Sequence, residues 1–262
     1  MAFNYNQFNL PVAEVIPQIK EGLANNTTLI IKAPTGAGKS TLLPIALLEE
    51  EWLKGKKIIM LEPRRLAAKT VAMRMADMLG EKAGETVGYR IRFEQKISKQ
   101  TRLEVVTEGI LTRLIQEDNT LEDVGLIIFD EFHERSIHAD LAMAFSKEVQ
   151  GVLREDLRII VMSATINMPE LASRLDAVEV ESKGRMFPVD VHYVGDADWE
   201  LLPELVHKTV KDAVKKHPGD TLVFLPGQRE ITQTLEKLER SLPDFKVVPL
   251  YGQLPAAKQF SA

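Results

Sequence analysis

The stretch Ala33-Pro34-Thr35-Gly36-Ala37-Gly38-Lys39-Ser40-Thr41 combines small residues, a lysine and hydroxyls in an order suited to holding a polyphosphate. It follows the apolar run Leu29-Ile30-Ile31 and precedes a helix-forming segment, so it reads as strand, phosphate-binding loop, helix. Several negative charges call for backbone N–H groups converging at a helix N-terminus, and Gly36, Ala37 and Gly38 let the backbone come close. Lys39 can then reach the β- and γ-phosphates as a point charge. The Ser40 hydroxyl can complete the coordination of a Mg²⁺ that bridges the same phosphates. This is chemistry for ATP or a close relative, with Thr35 through Thr41 as the binding loop. Ala33 stands where the generic pattern has its first glycine.

A second signal lies downstream. Gly125 to Phe129 is another apolar run, and it ends in Asp130-Glu131. A carboxylate at the carboxyl end of a neighbouring parallel strand is where a nucleotide-bound Mg²⁺ finds its second protein ligand. Asp130 fits that metal role. Glu131 is placed to orient and deprotonate an attacking water, as phosphoryl transfer to water requires. Paired acids are ordinarily solvated surface charge; paired acids closing a buried strand are much less often so.

The elements that must position these residues alternate as in a doubly wound α/β sheet. After the first strand and helix come a strand at Lys57 to Leu61 and a helix at Leu66 to Leu79. Leu103 to Val106 is a strand leading to a helix at Gly109 to Gln116. The acid-tipped strand follows, then a helix over Asp140 to Val152 and a strand at Leu157 to Met162. Met73, Met75 and Met78 read as core packing. Near Glu181 to Pro188 the pattern breaks. Beyond it, a strand at Val189 to Val194, a helix at Leu201 to Lys216, a strand at Thr221 to Leu225 and a further helix begin a second α/β unit. The expected division is 1–182 and 183–262.

The composition, with 45% hydrophobic residues among 262, supports a sizeable core and more than one domain. No apolar stretch approaches the ~18 residues of a membrane span. Met1 to Leu10 is polar and Asn-rich, unlike a signal segment, so a cytoplasmic chain with no membrane association is expected. The absence of cysteine excludes disulfides, thiolate catalysis and Cys-based zinc sites. The net charge of −5 belongs to residues 1–182, since residues 183–262 balance at 11 basic against 11 acidic side chains. Such a balance does not advertise a nucleic-acid protein. Local arginines, hydroxyls and backbone N–H groups can nonetheless grip a single strand.

The order of further motifs carries a family resemblance. After the phosphate loop come Glu62-Pro63-Arg64-Arg65-Leu66-Ala67-Ala68, Gly88-Tyr89-Arg90-Ile91-Arg92-Phe93-Glu94 and Thr107-Glu108-Gly109-Ile110-Leu111. They are followed by Asp130-Glu131-Phe132-His133-Glu134-Arg135-Ser136 and Ser163-Ala164-Thr165. This series resembles superfamily 2 helicases of the DEAH/RHA group, and Phe132, where the group name has Ala, points to the bacterial HrpB-type branch. Gly184-Arg185-Met186-Phe187-Pro188-Val189, Thr221 to Gly227 and Leu250-Tyr251-Gly252 extend the match to the end of the chain.

The resemblance implies a RecA-like doubly wound parallel sheet, complete in the first domain and incomplete in the second. It implies ATP with Mg²⁺ as cofactors and single-stranded RNA as partner. Arg64, Arg65, Arg92, Thr107 and Glu108 then lie in motifs that line the nucleic-acid path, holding phosphates and sugars rather than reading bases. Arg74 matches a position whose guanidinium stacks on adenine. Ser163 and Thr165 resemble the segment that couples nucleotide state to strand movement, with His133 hydrogen-bonded in that network.

The family's second domain continues to a threonine-rich motif and a glutamine-arginine motif, neither of which lies before Ala262. Arginine fingers of that kind are worth roughly 10³ to 10⁵ in turnover. The expectation is therefore a motor portion of an ATP-dependent RNA helicase that binds nucleotide better than it hydrolyses it. The alternative is a nucleotide-dependent RNA-binding adaptor without turnover. Lys39, Asp130, Glu131 and the Ser163-Ala164-Thr165 motif favour the first, because a pure binding module has no need of a water-activating acid.

Overall fold

The computed structural model describes residues 3–164, 168–184, 188–196, 198–255 and 258–259. They divide into compact units Met1–Phe187 and Pro188–Ala262. The first unit alternates α1 (Ile16–Asn25), β1 (Thr28–Lys32), α2 (Leu42–Ala46), β2 (Lys57–Leu61), α3 (Arg65–Leu79), β3 (Val87–Ile91) and β4 (Glu94–Lys96). It continues with β5 (Leu103–Val106), α4 (Glu108–Glu117), β6 (Val124–Phe129), α5 (Ile137–Glu148), β7 (Arg158–Ser163), α6 (Met168–Leu175) and β8 (Val178–Glu181).

The eight strands form one sheet in the order β4-β3-β5-β2-β6-β7-β1-β8. All pairings are parallel except the β3–β4 hairpin. Parallel strands are covered on both faces, which is why the runs Leu29-Ile30-Ile31, Ile58 to Leu61 and Leu126 to Phe129 are apolar at every position. Alternation decides which core each side chain enters. Leu29, Ile31, Ile58, Met60, Leu126 and Ile128 pack with residues of α1, α2 and α3. Ile30, Ile59, Leu61, Ile127 and Phe129 pack with residues of α4, α5 and α6 on the other face. The doubly wound α/β architecture is the one expected.

Several expectations are corrected. The helix expected over Asp140 to Val152 starts earlier, capped by the Ser136 hydroxyl accepting from the Ala139 N–H. It passes at Val149–Leu153 into a π-helical turn. Met75 is buried and Met78 packs against the core, but Met73 faces solvent, because the α3 apolar stripe runs through Ala68, Ala72, Met75 and Ala76. The acid-tipped β6 is not the immediate neighbour of β1: β7 lies between them.

The second unit contains α7 (Leu202–Lys216) and α8 (Gln228–Ser241), which pack together with a Lys237–Glu204 ion pair and His207 Nε2 2.8 Å from Ser241 Oγ. The strands expected at Val189 to Val194 and Thr221 to Leu225 are not formed; Val189, Val191, Leu222 and Phe224 are exposed. A strand needs a partner for its N–H and C=O groups, and the described residues of this unit supply none. Among the described residues, no helix is long and apolar enough to cross a membrane.

Candidate active site

The phosphate loop leaves the carboxyl end of β1 with the Ala33 N–H donating to the Ser163 carbonyl, 3.2 Å, so the ends of β1 and β7 are tied together. Gly38 has φ +88°, where an L side chain is strained, and a Cβ there would stand 2.8 Å from Leu10 Cδ1. Its carbonyl accepts from the N–H groups of Thr41, 3.2 Å, and Leu42, 2.9 Å. The Ala37 carbonyl accepts from the Val12 N–H, 2.9 Å, so the amino-terminal segment braces the loop. Gly184, φ +64°, closes the other side: a Cβ would lie 2.1 Å from Pro34 Cγ. The helix expected directly after the loop follows it as the short α2. Lys39 and Ser40 sit in a turn, and α2 begins only at Leu42.

Lys39 is buried at 4% exposure, and its ammonium makes an ion pair with the Glu131 carboxylate while lying 3.7 Å from Asp130 Oδ1. Asp130, at 2% exposure, accepts the Glu131 N–H on Oδ1, 2.9 Å, with the Ser40 side chain close by. Its Oδ2 is buried with no partner among the described residues. Burial pushes the Asp130 carboxyl up from its ordinary value, against the pull of the Lys39 charge and the Ser40 hydroxyl. Glu131 adopts φ +48°, a left-handed conformation that costs a non-glycine residue about 1 kcal/mol or more. The strain sits where β6 turns sharply into the 3₁₀ turn Phe132–Glu134. His133 Nδ1 is 3.3 Å from Glu131 Oε2 but makes no hydrogen bond among the described residues.

A buried metal ion wants unpaired oxygens, and the orphan Asp130 Oδ2 beside the Ser40 hydroxyl meets that requirement. Among the described residues, no group of three His, Cys, Asp or Glu side chains could hold a metal by itself. Asp130 and Ser40 are thus the side chains here that could hold a divalent cation.

Sequence reasoning missed Glu62. It closes β2 as Asp130 closes β6, the two strands are neighbours, and it is buried at 4% exposure. Burial first, then the nearby Asp130 charge, push its carboxyl up to about 8. The signal available in the sequence was the same one that exposed Asp130, an acid ending a continuous apolar strand.

The same edge of the sheet carries the expected nucleic-acid residues. Arg64 and Arg65 follow β2, Thr107 caps α4 after β5, Glu108 opens α4, and Arg92 follows β3. The strand order β3-β5-β2-β6-β7-β1 thus sets Arg92, Thr107 and Arg64 in one row with Asp130, Ser163 and Lys39. The Thr107 N–H donates to the Arg90 carbonyl, 3.3 Å, tying the end of β5 to β3. The Arg92 guanidinium lies 4.7 Å from the ring centroid of Phe93. Phe93 is 90% exposed at φ +68°, an aromatic in the hairpin turn that sequence reasoning passed over. Arg74 is exposed on α3. Thr165 lies outside the described residues, as do Arg185, Met186 and Phe187.

A phosphate loop on the first strand of a mostly parallel doubly wound sheet, facing an acid pair two strands away, defines a RecA-like P-loop NTPase fold. The DEAD/DEAH box helicase family pattern matches residues 12–173, and the chain belongs to that family. It is 46% identical over 256 residues to the ATP-dependent RNA helicase HrpB of Escherichia coli (strain K12), covering 97% of this chain and 32% of that protein. It is 38% identical over 260 residues to the ATP-dependent RNA helicase HrpA of the same organism, covering 96% of this chain and 20% of that one. The crystal structure of the E. coli DEAH/RHA helicase HrpB superposes with a TM-score of 0.87 at 45% identity, over 97% of this chain and 33% of that one. The chain therefore spans about a third or less of the length of these relatives.

Proposed function

We propose that this chain is the nucleotide-binding motor portion of an ATP-dependent RNA helicase, with residues 1–182 as its ATP-binding domain and 183–262 as part of a second RecA-like domain. The observation that carries the reading is the single row along the carboxyl edge of the sheet, in which the Lys39, Asp130 and Glu131 cluster continues into Arg64, Thr107 and Arg92. Relatives of this sequence are named ATP-dependent RNA helicases, which supports the nucleotide and the RNA together.

In this reading Thr35 through Thr41 wrap the phosphates, and Lys39 exchanges its ion pair with Glu131 for the β- and γ-phosphate oxygens. Glu131, released from Lys39, becomes the base that orients and deprotonates water. Mg²⁺, held by Asp130 and Ser40, would supply charge neutralisation to the phosphate oxygens. Arg74 stacks on adenine, and Ser163, Thr165 and His133 relay nucleotide state. Arg64, Arg65, Arg92, Thr107 and Glu108 hold the backbone of a single RNA strand without reading its sequence. A cytoplasmic setting, away from membranes, fits the cysteine-free composition.

The test is ATP hydrolysis with and without single-stranded RNA, measured on the wild type and on Glu131→Gln. RNA-stimulated hydrolysis that vanishes in the variant, with RNA binding intact, supports the reading. Equal turnover in both proteins would refute the role given to Glu131.

A further inference from the structure

Arg64, which the proposed function assigns to an RNA phosphate, has its guanidinium fork already filled. Nε donates to Glu134 Oε2 at 3.3 Å and Nη2 to Glu134 Oε1 at 2.7 Å, a two-point grip on one carboxylate. The Arg64 N–H is held by Glu62 Oε1, 3.3 Å, which fixes where the side chain starts. A carboxylate and a phosphate present a guanidinium with the same pair of oxygens, so an arginine fork accepts either and not both.

Glu134 belongs to the turn that carries the water-activating acid. Its N–H donates to the Glu131 carbonyl, 2.9 Å, and the next residue, Arg135, is at φ +45° with its own fork on Asp140 at 3.1 and 2.9 Å. The neighbouring cation, Arg135, is thus already occupied, and Arg64 is the partner recorded for Glu134. The pair is solvent-accessible, which makes it weak enough to be exchanged and reachable by a strand passing along the row.

We propose that Glu134 is an internal stand-in for an RNA phosphate: it occupies the Arg64 fork in the RNA-free chain and is displaced when a backbone phosphate binds there. Glu134 then lowers RNA affinity by competing with the phosphate for the Arg64 fork. The inference rests on the reading of Arg64 as an RNA contact.

The experiment measures binding of a labelled single-stranded oligouridylate to the wild type, Arg64→Ala, Glu134→Gln, Glu134→Ala and the Arg64→Ala, Glu134→Gln double variant, at several salt concentrations. Thermal melting of each protein reports its folding. Removing the competitor should tighten RNA binding about two- to fivefold, the scale of an exposed ion pair, and steepen the salt dependence. Arg64→Ala should weaken binding, and the double variant should bind no better than Arg64→Ala alone, because the gain works only through Arg64. A merely structural role for Glu134 would give weaker binding, not tighter. If Arg64→Ala weakens binding but both Glu134 variants fail to tighten it, or tighten it equally without Arg64, the stand-in is overturned while the RNA reading survives. If folded Arg64→Ala binds as the wild type does, the RNA reading of Arg64 falls and the stand-in falls with it.

Discussion

The Lys39 ammonium is ion-paired to the Glu131 carboxylate and lies 3.7 Å from Asp130 Oδ1, so the loop lysine sits between the two acids that follow β6. One buried cation serves two carboxylates of different exposure. Removing a partner from a buried pair leaves an uncompensated charge.

Lys39→Ala should therefore destabilise the ligand-free chain as well as abolish phosphate binding. The expected loss is about 2 kcal/mol, below the ~3–5 typical of fully buried pairs because Glu131 is partly solvated. Urea unfolding without nucleotide measures it. An unchanged midpoint would show that the ion pair contributes nothing to the fold.

Glu62 sets a pH dependence. Its folded carboxyl titrates near 8, against an ordinary value of 4.5. Below the ordinary value both folded and unfolded chains carry the proton, so no penalty arises. Between the two values the unfolded chain loses the proton while the folded chain keeps it, and stability falls as pH rises by up to ~1.4 kcal/mol per unit. Glu62→Gln should be more stable than the wild type at pH ~8, with the advantage shrinking toward pH ~5. Denaturant midpoints at both pH values, without nucleotide or Mg²⁺, check this; an advantage independent of pH would exclude it.

Phe93 stands exposed in the hairpin turn with the Arg92 guanidinium over its ring. A base stacking on this pair would add ~1–3 kcal/mol to single-strand binding whatever its identity. Phe93→Ala should weaken oligouridylate and oligoadenylate binding alike, by about tenfold. Fluorescence anisotropy with both strands is the measurement, and a loss confined to one of them would mean base reading instead of stacking.

Much of this was legible in the residues themselves, for physical reasons that also mark where legibility ends. Parallel strands covered on both faces carry apolar runs, so β1, β2, β6 and β7 stand out in the sequence, and β5 does so around its buried Glu104. β3 holds Gly88 and Arg90, β4 is exposed Glu-Gln-Lys, and β8 alternates Val and Glu at the sheet edge, so their patterns are weak. The strands expected at Val189 to Val194 and Thr221 to Leu225 have the right residues and no partner strand among the described ones. Lys39, Ser40, Asp130 and Glu131 could be named from residue type because each ends or follows a strand. Glu62 beside Asp130 and Arg64 on Glu134 depend on β2 and β6 being neighbours, which no local pattern records.

Arg74 reaches solvent from α3, and its proposed role is to stack on the base. A stacking guanidinium meets the π-face that every base offers, so ATP and GTP should bind within about tenfold of each other, and Arg74→Ala should weaken both. Competition binding of the two nucleotides reads this. A preference above ~1.4 kcal/mol would require a base-specific contact.

The central claim is that Lys39 grips phosphate while Glu131 acts on water, so that the two halves of one ion pair have separable roles. Equilibrium titration of labelled ATP, with Mg²⁺, into the wild type, Lys39→Ala and Glu131→Gln tests it most directly, with hydrolysis followed in the same samples. The account predicts that Lys39→Ala loses ATP affinity, whereas Glu131→Gln binds ATP at least as tightly as the wild type and does not hydrolyse it. Equal loss of ATP affinity in the two variants would contradict it.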